Sequence, residues 1–529
     1  MIAKEFRTQS AVVWQRDILL STATVREAIM TSALLKLPQA MPVAEKRRRA
    51  DEIVSELSLT HRAGMMIGED IDGTVSSISG GERRRVSIGI ALVTDPRAVF
   101  LDEPTTGLDS DSALSIVSLL KRLASRGRTV LCTIHQPSAD ICERFDDFML
   151  LSSGNMVYCG AWRAAESWFD GLGHPRPSHR NLAEHFMVLC KDPEVVAASS
   201  AAHRDTFSLD AALGDAESGG PGYERTLSRW SLRHTVTAQA LGSSAAPDAE
   251  HVAAATSSLY QVRILSVRFV RHMWRAPLNV IIQLVQYLFF GTLVGLTYWK
   301  VPDDMNGGTF DRIASLWFIC ACLVLQPAQN AVAVFARERA LLRREFGNRL
   351  YNYFAFFTAK SLTQLPLQLV FVMCFSVLVY FMIGFQAVAS KFFVFYGTLV
   401  LVALTADTVG QLCAAVHREV VVGQIINGML CLLLLMFTGF IQTETPAYFV
   451  WLKKSSFVAF AYSAVVANEF TGLKLQGPLL PVDGMDAVPA NVNNGLSVGV
   501  DFAYLAAIML AIRVFTYGWI ATSLRKHWF

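Results

Sequence analysis

Residues 78–110 read ISGGERRRVSIGIALVTDPRAVFLDEPTTGLDS. A helix is predicted from about Gly81 to Val93, opened by Ser79, Gly80, Gly81 and Glu82. Glycines let the backbone come close to a ligand, and the free N–H groups at a helix start favour an anion. The apolar, β-prone run Ala98–Leu101 predicts a buried strand that delivers Asp102 and Glu103 to its carboxyl end. Ligands of α/β sheets bind at that end. Asp102 suits the oxygen shell of Mg²⁺. Glu103 suits polarising a water for attack on a phosphate. Asp109 follows in a Gly-containing turn, TTGLDS, before another helix.

Working outward, TVLCTI at 129–134 predicts a second strand, ending at His135 in TIHQPS. Beside the Asp-Glu strand, His135 would be placed to contact a γ-phosphate. Gln15, in VVWQRDILL, carries an amide able to reach Mg²⁺ or water. A third strand-like run, DFMLL, spans 147–151. Strands alternating with helical patterns suggest a parallel sheet. Each fragment alone has a plain explanation: a turn, an ordinary strand end, a satisfied histidine. Their order and spacing together carry the reading.

The rest of the 529 residues is divided in character. Residues 1–258 are mixed and charged, while 259–529 hold long apolar runs. Overall, 52% of residues are hydrophobic and 17% charged, which argues against a soluble enzyme alone. A net charge of +3 leaves no basic excess for nucleic acid. The stretch 442–500 has neither cysteine nor an N-x-[ST] site, so no disulfide framework is expected there. The first seventeen residues lack a signal-peptide core.

Six apolar segments approach the roughly 20 residues needed to cross a bilayer. They lie near 278–299, 313–335, 362–385, 392–416, 420–441 and 502–523. Arg263, Arg268, Arg271 and Arg275 precede the first, and Arg337, Arg339, Arg343, Arg344 and Arg349 follow the second. Arg418 separates the fourth from the fifth, and Arg525 and Lys526 follow the sixth. This bias places both termini in the cytosol, with the longest outside loop after the fifth span. Residues 193–258, rich in Ala, Ser, Gly and Asp, read as a flexible linker after an α/β region at 1–192.

These motifs resemble the G subfamily of ATP-binding cassette transporters, the White/brown-complex half-transporters. VVWQRDILLSTATVREAI is similar to that family's Q-loop, and ISGGERRRVSIG to its signature. VFLDEPTTGLDS is similar to its Walker B and D-loop, and TIHQPS to its switch segment. In the apolar half, ARERALLRREFGNRLY, FTGFIQ and ANEFTGL also resemble it. The resemblance implies a P-loop NTPase-like α/β cassette followed by an all-α, six-helix transmembrane domain at 259–529. It implies ATP and Mg²⁺ as cofactors, with Glu103 and His135 in catalytic roles. Gln15, Ser79, Gly80, Gly81, Glu82, Asp102 and Asp109 would bind nucleotide, with Gln15 and Asp102 toward the metal. The implied protein is a multi-pass half-transporter, expected in the plasma membrane. It would export a hydrophobic or lipid-like solute as a homodimer or heterodimer.

One departure stands out: the 529 residues contain no Gly-Lys dipeptide, so the phosphate loop G-x-x-x-x-G-K-[ST] does not occur among them. In the family that loop would lie before Met1, leaving the cassette incomplete at its N-terminus. A homodimer of these residues is therefore expected to turn over no ATP. A partner with an intact loop could be completed by Ser79–Glu82. Two readings stay open, an exporter subunit and a membrane adaptor or regulatory subunit that pairs with an intact half-transporter. RNLAEHF also departs from the family's Asn-Pro-Ala-Asp-Phe segment at Leu182 and Glu184. Within the spans, Asp407 and Thr405 are candidates for the substrate path, because an intramembrane charge is costly. Arg513 is expected to snorkel or pair with a neighbour.

Overall fold

The computed structural model describes residues 6, 9–68, 78–135, 137–177, 182–206, 256–305, 307–417, 419–442, 445–476, 482–489, 491–492 and 495–525. The chain divides into two units, Met1–Thr256 and Ser257–Phe529.

In the first unit, strand β1 (Ser10–Val13) leads to helices α1 (Val25–Lys36) and α2 (Val43–Glu56). Helix α3 (Gly80–Leu92), strand β2 (Ala98–Leu101), helix α4 (Ser110–Ser125) and strand β3 (Thr129–Cys132) follow. The three strands form a parallel sheet in the order β1-β2-β3, with Val13 opposite Leu101 and Leu101 opposite Cys132. Val13, Val99 and Leu101 turn to one face and are buried with Ile29, Ile53, Ile88, Ile116 and Leu120. Burying each such aliphatic side chain contributes roughly 1.5–3 kcal/mol. Thr24 and Glu27 close a reciprocal capping box at the start of α1.

A second lobe carries helix α5 (Ala139–Cys142), strands β4 (Asp147–Ser152) and β5 (Asn155–Ala161), and helices α6 (Trp162–Gly171), α7 (Leu182–Leu189) and α8 (Pro193–Thr206). The run at 147–151 does not extend the parallel sheet. It pairs antiparallel with β5. Ser153 and Gly154, both at positive φ, reverse the chain in a two-residue turn that forces this pairing. Residues 193–206, assigned from composition to the linker, form α8 instead. Val195 and Val196 pack with Val157, Phe169 and Phe186, and Ser199 Oγ donates to the Val157 carbonyl at 2.5 Å. Its alanines favour helix once one face is covered. The linker residues 207–255 lie outside the described set.

The second unit is helical. Helix α9 (Ser258–Arg275) precedes α10 (Leu278–Thr297), α11 (Gly308–Gly347), α12 (Tyr353–Ile383) and α13 (Ala389–Val416). Then come α14 (Val420–Met436), the short helix α15 (Val450–Ser455), α16 (Phe457–Phe470), the strand pair β6 (Lys474–Leu475) and β7 (Val482–Asp483), and α17 (Val498–Arg525). Among the described residues, five helices are long and apolar enough to span a membrane, α10 to α13 and α17. A sixth arises if the segment Ala447–Ser455 and α16, bent by 73°, act as one. The fifth predicted span, 420–441, is shorter than expected: α14 has 17 residues, about 26 Å of helix. The outside loop expected after it contains α16, which is almost wholly buried. Helices α11 and α13 pack closely at Gly410, where a Cβ would stand 2.2 Å from the Ala328 carbonyl oxygen.

One ion pair ties the ends of these helices. Arg312, in the first turns of α11, donates from Nη1 to Glu469 Oε1 of α16 at 2.7 Å, both side chains being 3% exposed. Its Nη2 also donates to the carbonyls of Val301 and Gly384, at 3.2 and 3.3 Å, and pairs with Asp303. Glu469 accepts from the Gln386 N–H at 3.2 Å. Removing one partner strands a buried charge, whereas replacing both with apolar groups removes the problem. Glu469→Ala is expected to destabilise the unit by about 3–5 kcal/mol. Arg312→Met combined with Glu469→Leu should regain most of that. Thermal unfolding of the full chain in detergent checks both, and a double variant no more stable than Glu469→Ala counts against the pairing.

Candidate nucleotide-binding site

The parallel register brings three strand ends together. The Asp102 N–H donates to the Val13 carbonyl at 2.9 Å, and the Thr133 N–H to the Leu101 carbonyl at 3.0 Å. Gln15, Asp102, Glu103 and Thr133 therefore emerge side by side. Gln15 Nε2 donates to Glu103 Oε2 at 2.7 Å, and Thr106 Oγ1 donates to the same oxygen at 2.9 Å. Thr133 Oγ1 accepts from the Glu103 N–H at 2.9 Å and donates to Asp102 Oδ1 at 2.8 Å. Glu103 sits at φ +43°, in the left-handed region that a side chain rarely adopts. Such backbone persists only where the surroundings over-determine it, and here four hydrogen bonds converge on Asp102 and Glu103. His135 is exposed beyond β3. Among the described residues no hydrogen bond joins it to these carboxylates.

The donor set can be tested against Mg²⁺, which takes one or two protein oxygens and completes its shell with phosphate and water. Asp102 is exposed and offers a carboxylate, and Gln15, also exposed, has its amide nitrogen held by Glu103 and an amide oxygen to offer. These oxygens fit a cation shared with a nucleotide. They do not form a closed protein cage: among the described residues no cluster of three His, Cys, Asp or Glu could hold a metal.

The Ser-Gly-Gly-Glu turn forms a second element. Ser79 caps α3: the Glu82 N–H donates to Ser79 Oγ at 3.2 Å, and the Ser79 N–H donates to Glu82 Oε2 at 2.8 Å. Burial raises the Glu82 carboxyl, but the Ser79 N–H and Arg62 outweigh it and hold the group below its usual value. Arg62 Nε stands 3.2 Å and His61 Nε2 3.4 Å from Glu82 Oε1. A Cβ on Gly80 would lie 3.3 Å from Leu108, and one on Gly81 3.3 Å from Ser112. The helix start thus packs tightly against the start of α4. Asp109 caps α4 by accepting from the Ser112 N–H at 3.1 Å, and the Ser112 hydrogen bonds keep its carboxyl below the usual range.

The structure links the two elements through Arg84, a residue the motif reading left out. Arg84 donates to the Trp14 carbonyl at 2.8 Å and to the Gln15 carbonyl at 2.6 Å, and pairs with Asp17 at 3.2 Å. Its side chain is 4% exposed. Helix α3 therefore fixes the segment that carries Gln15. The signal was present in spacing: Ile88, Ala91 and Leu92, four, seven and eight residues on, are all buried, which places Arg84 on the core face. Thr106 and Thr133 had no comparable signal, since their role depends on strand pairing.

In the second unit, Thr405 is fully buried and its hydroxyl donates to the Leu401 carbonyl of its own helix at 2.7 Å. Asp407 is half-buried and accepts from Gln411 at 2.8 Å. Arg513 donates to Ser361 Oγ at 2.7 Å and lies over the Phe357 ring at 5.6 Å.

The comparisons agree with this division. A family profile described as "ABC transporter" matches residues 1–106. Two described as "ABC-2 type transporter" match residues 260–470 and 135–209. The "Broad substrate specificity ATP-binding cassette transporter ABCG2" of Rattus norvegicus is 30% identical over 485 residues, covering 88% of this chain and 72% of that protein. "ABC transporter G family member 14" of Arabidopsis thaliana is 30% identical over 471 residues, covering 88% and 70%. "Protein white" of Ceratitis capitata is 27% identical over 534 residues, covering 99% and 76%.

Two outcomes test the site. Arg84→Ala leaves buried carbonyls without a donor, and should cost the unit about 2–4 kcal/mol. Hydrogen exchange should quicken at residues 14–17 more than in α2. The second concerns pH. Glu82 has a lowered folded-state pKa, so its contribution is full above the ordinary carboxyl value of 4.5 and is lost as pH falls through the depressed one. The stability advantage over Glu82→Gln should be constant near neutrality and shrink below pH 4.5, read by denaturant unfolding at stepped pH.

Proposed function

Because the chain belongs to the G subfamily of ATP-binding cassette transporters, we propose that it is a half-transporter whose dimer exports a hydrophobic or lipid-like solute with ATP as the energy source. The observation that carries this reading is the Gln15–Asp102–Glu103 cluster at the carboxyl ends of three parallel strands, tied by Arg84 to the helix opened by Ser79–Glu82. The chain is an integral membrane protein. Both termini facing the cytosol and a plasma-membrane location are further parts of the proposal, supported by the arginine bias.

Each residue has a task in this reading. Asp102 and the Gln15 amide oxygen would hold Mg²⁺, which when bound neutralises charge on the phosphates. Glu103 takes the proton of an attacking water, its carboxylate oriented by Gln15 and Thr106. Thr133 fixes the spacing of the two acidic groups. His135 reaches the γ-phosphate from the neighbouring strand end. Ser79, Gly80 and Gly81 present the N-terminus of α3 to the nucleotide of the partner chain. Asp109 keeps α4 seated beside that surface. The solute class is supported by the relatives' family, and the partner is a second copy or another half-transporter, ATP turnover by either dimer requiring a phosphate loop that these 529 residues do not contain.

Efflux of a fluorescent lipid from cells expressing the full chain, alone and with a second half-transporter, tests the proposal. Gly80→Asp places a carboxylate where nucleotide phosphate would sit and should abolish efflux above background. Glu103→Gln should reduce it at least tenfold if this chain's own carboxylate performs hydrolysis. A silent Glu103→Gln beside a dead Gly80→Asp would assign the chain the complementing role alone. Efflux unaffected by both overturns the reading.

A further inference from the structure

The helix start at Ser79–Glu82 holds a conflict of charge. Glu82 Oε2 accepts from the Ser79 N–H at 2.8 Å. That contact closes the capping box and stabilises α3. It also sets a carboxylate at the mouth of the helix, beside the exposed Ser79 and Gly80 that would meet phosphate. Against the cost of burial, the Ser79 N–H and Arg62 hold this carboxyl below its usual value, so it is an anion at neutral pH. An anion there repels an incoming triphosphate.

A cation is set against it. Arg62 ends a 3-10 turn, Thr60–Arg62, and its Nε stands 3.2 Å from Glu82 Oε1, the oxygen that the Ser79 N–H does not take. The turn is strapped to the start of α1. The Arg26 N–H donates to the Ala63 carbonyl at 3.0 Å, and the Val25 N–H to the Met65 carbonyl at 3.1 Å. Arg62 Nη1 also donates to Met65 Sδ at 3.0 Å, which steadies the guanidinium. The Glu82 side chain is 14% exposed and that of Arg62 41%, so solvent and salt screen the pair only in part. His61 Nε2 stands 3.4 Å from the same oxygen, but its side chain is 61% exposed. Arg62 carries the permanent charge.

We propose that Arg62 is a positioning residue for nucleotide, holding the Glu82 carboxylate on the cap and cancelling its charge, so that the partner chain's nucleotide meets a neutral helix start. The cap stabilises the helix, and Arg62 removes the repulsion that the cap creates. This role rests on the exporter reading given above and adds to it a residue outside the Ser-Gly-Gly-Glu stretch.

The full chain is expressed with a half-transporter that carries the phosphate loop. ATP-driven uptake of a fluorescent lipid is then followed in inside-out vesicles at stepped ATP concentration. Arg62→Gln keeps a donor for Glu82 and removes the charge. Its KM for ATP should rise roughly fivefold, as for a unit charge near phosphate at a partly exposed site, with the maximal rate within about twofold. Arg62→Lys should restore the natural KM, and raised ionic strength should narrow the gap. Glu82→Gln keeps the cap and leaves Arg62 unopposed, so its KM should fall roughly fivefold. This variant does not disturb Arg62, and it tests the charge balance even where Arg62→Gln fails to reach the membrane. The double variant, neutral at both positions, should return to the natural KM. A merely structural Arg62 would instead lower the maximal rate at unchanged KM, and that result overturns the proposal, as does an unmoved KM in Glu82→Gln. Uptake by the natural pair that does not need ATP overturns the exporter reading and this role with it. ATP-driven uptake whose KM ignores both charges overturns this role alone.

Discussion

The parallel register of β1, β2 and β3 is the constraint on which the cassette's chemistry depends. Backbone hydrogen bonds from Asp102 to Val13 and from Thr133 to Leu101 set three chain ends at one level. A slip of one residue would move the buried side chains of β2 to the other face and part Asp102 and Glu103 from Gln15. Positioning is therefore done by the sheet, and the side chains add only the last short links. The burial of Val13, Val99 and Leu101 against α3 and α4 is what holds that register.

Arg84 shows how a helix can serve two purposes at once. Its N-terminus presents Ser79–Glu82, and one turn later its guanidinium holds the backbone at Trp14 and Gln15. A displacement of α3 must therefore move Gln15, or break two charge-assisted hydrogen bonds in a buried place. The capping box and the Glu82–Arg62 contact stiffen the same helix start from the other side.

The sequence was most readable where chemistry and local pattern coincide. Ala98–Leu101 announced a strand that delivers Asp102 and Glu103 to its carboxyl end, and Ser79–Glu82 announced the opening of a helix. The readings faltered where distant packing decides. The run at 147–151 is as strand-like as the others, and only the turn at Ser153 and Gly154 makes its partner antiparallel. Residues 193–206 look like a linker by composition, yet Val195 and Val196 find a covered face and the helix forms. In the apolar half, hydropathy located the long helices. It could not separate α14 from the bent pair that follows, because buried helices and membrane spans are equally apolar.

Helix α11 is 40 residues in one piece, about 60 Å, twice the thickness of a hydrocarbon core. One end is anchored by Arg312, and Glu345 near the other holds Arg268 of α9. Pro327, near the middle, cannot donate a backbone hydrogen bond, so the rod has a built-in soft joint between two fixed ends. A load applied near Glu345 would meet its weakest backbone support at Pro327, where one hydrogen bond of the helix is missing, while Arg312 ties the far tip to Glu469 of α16.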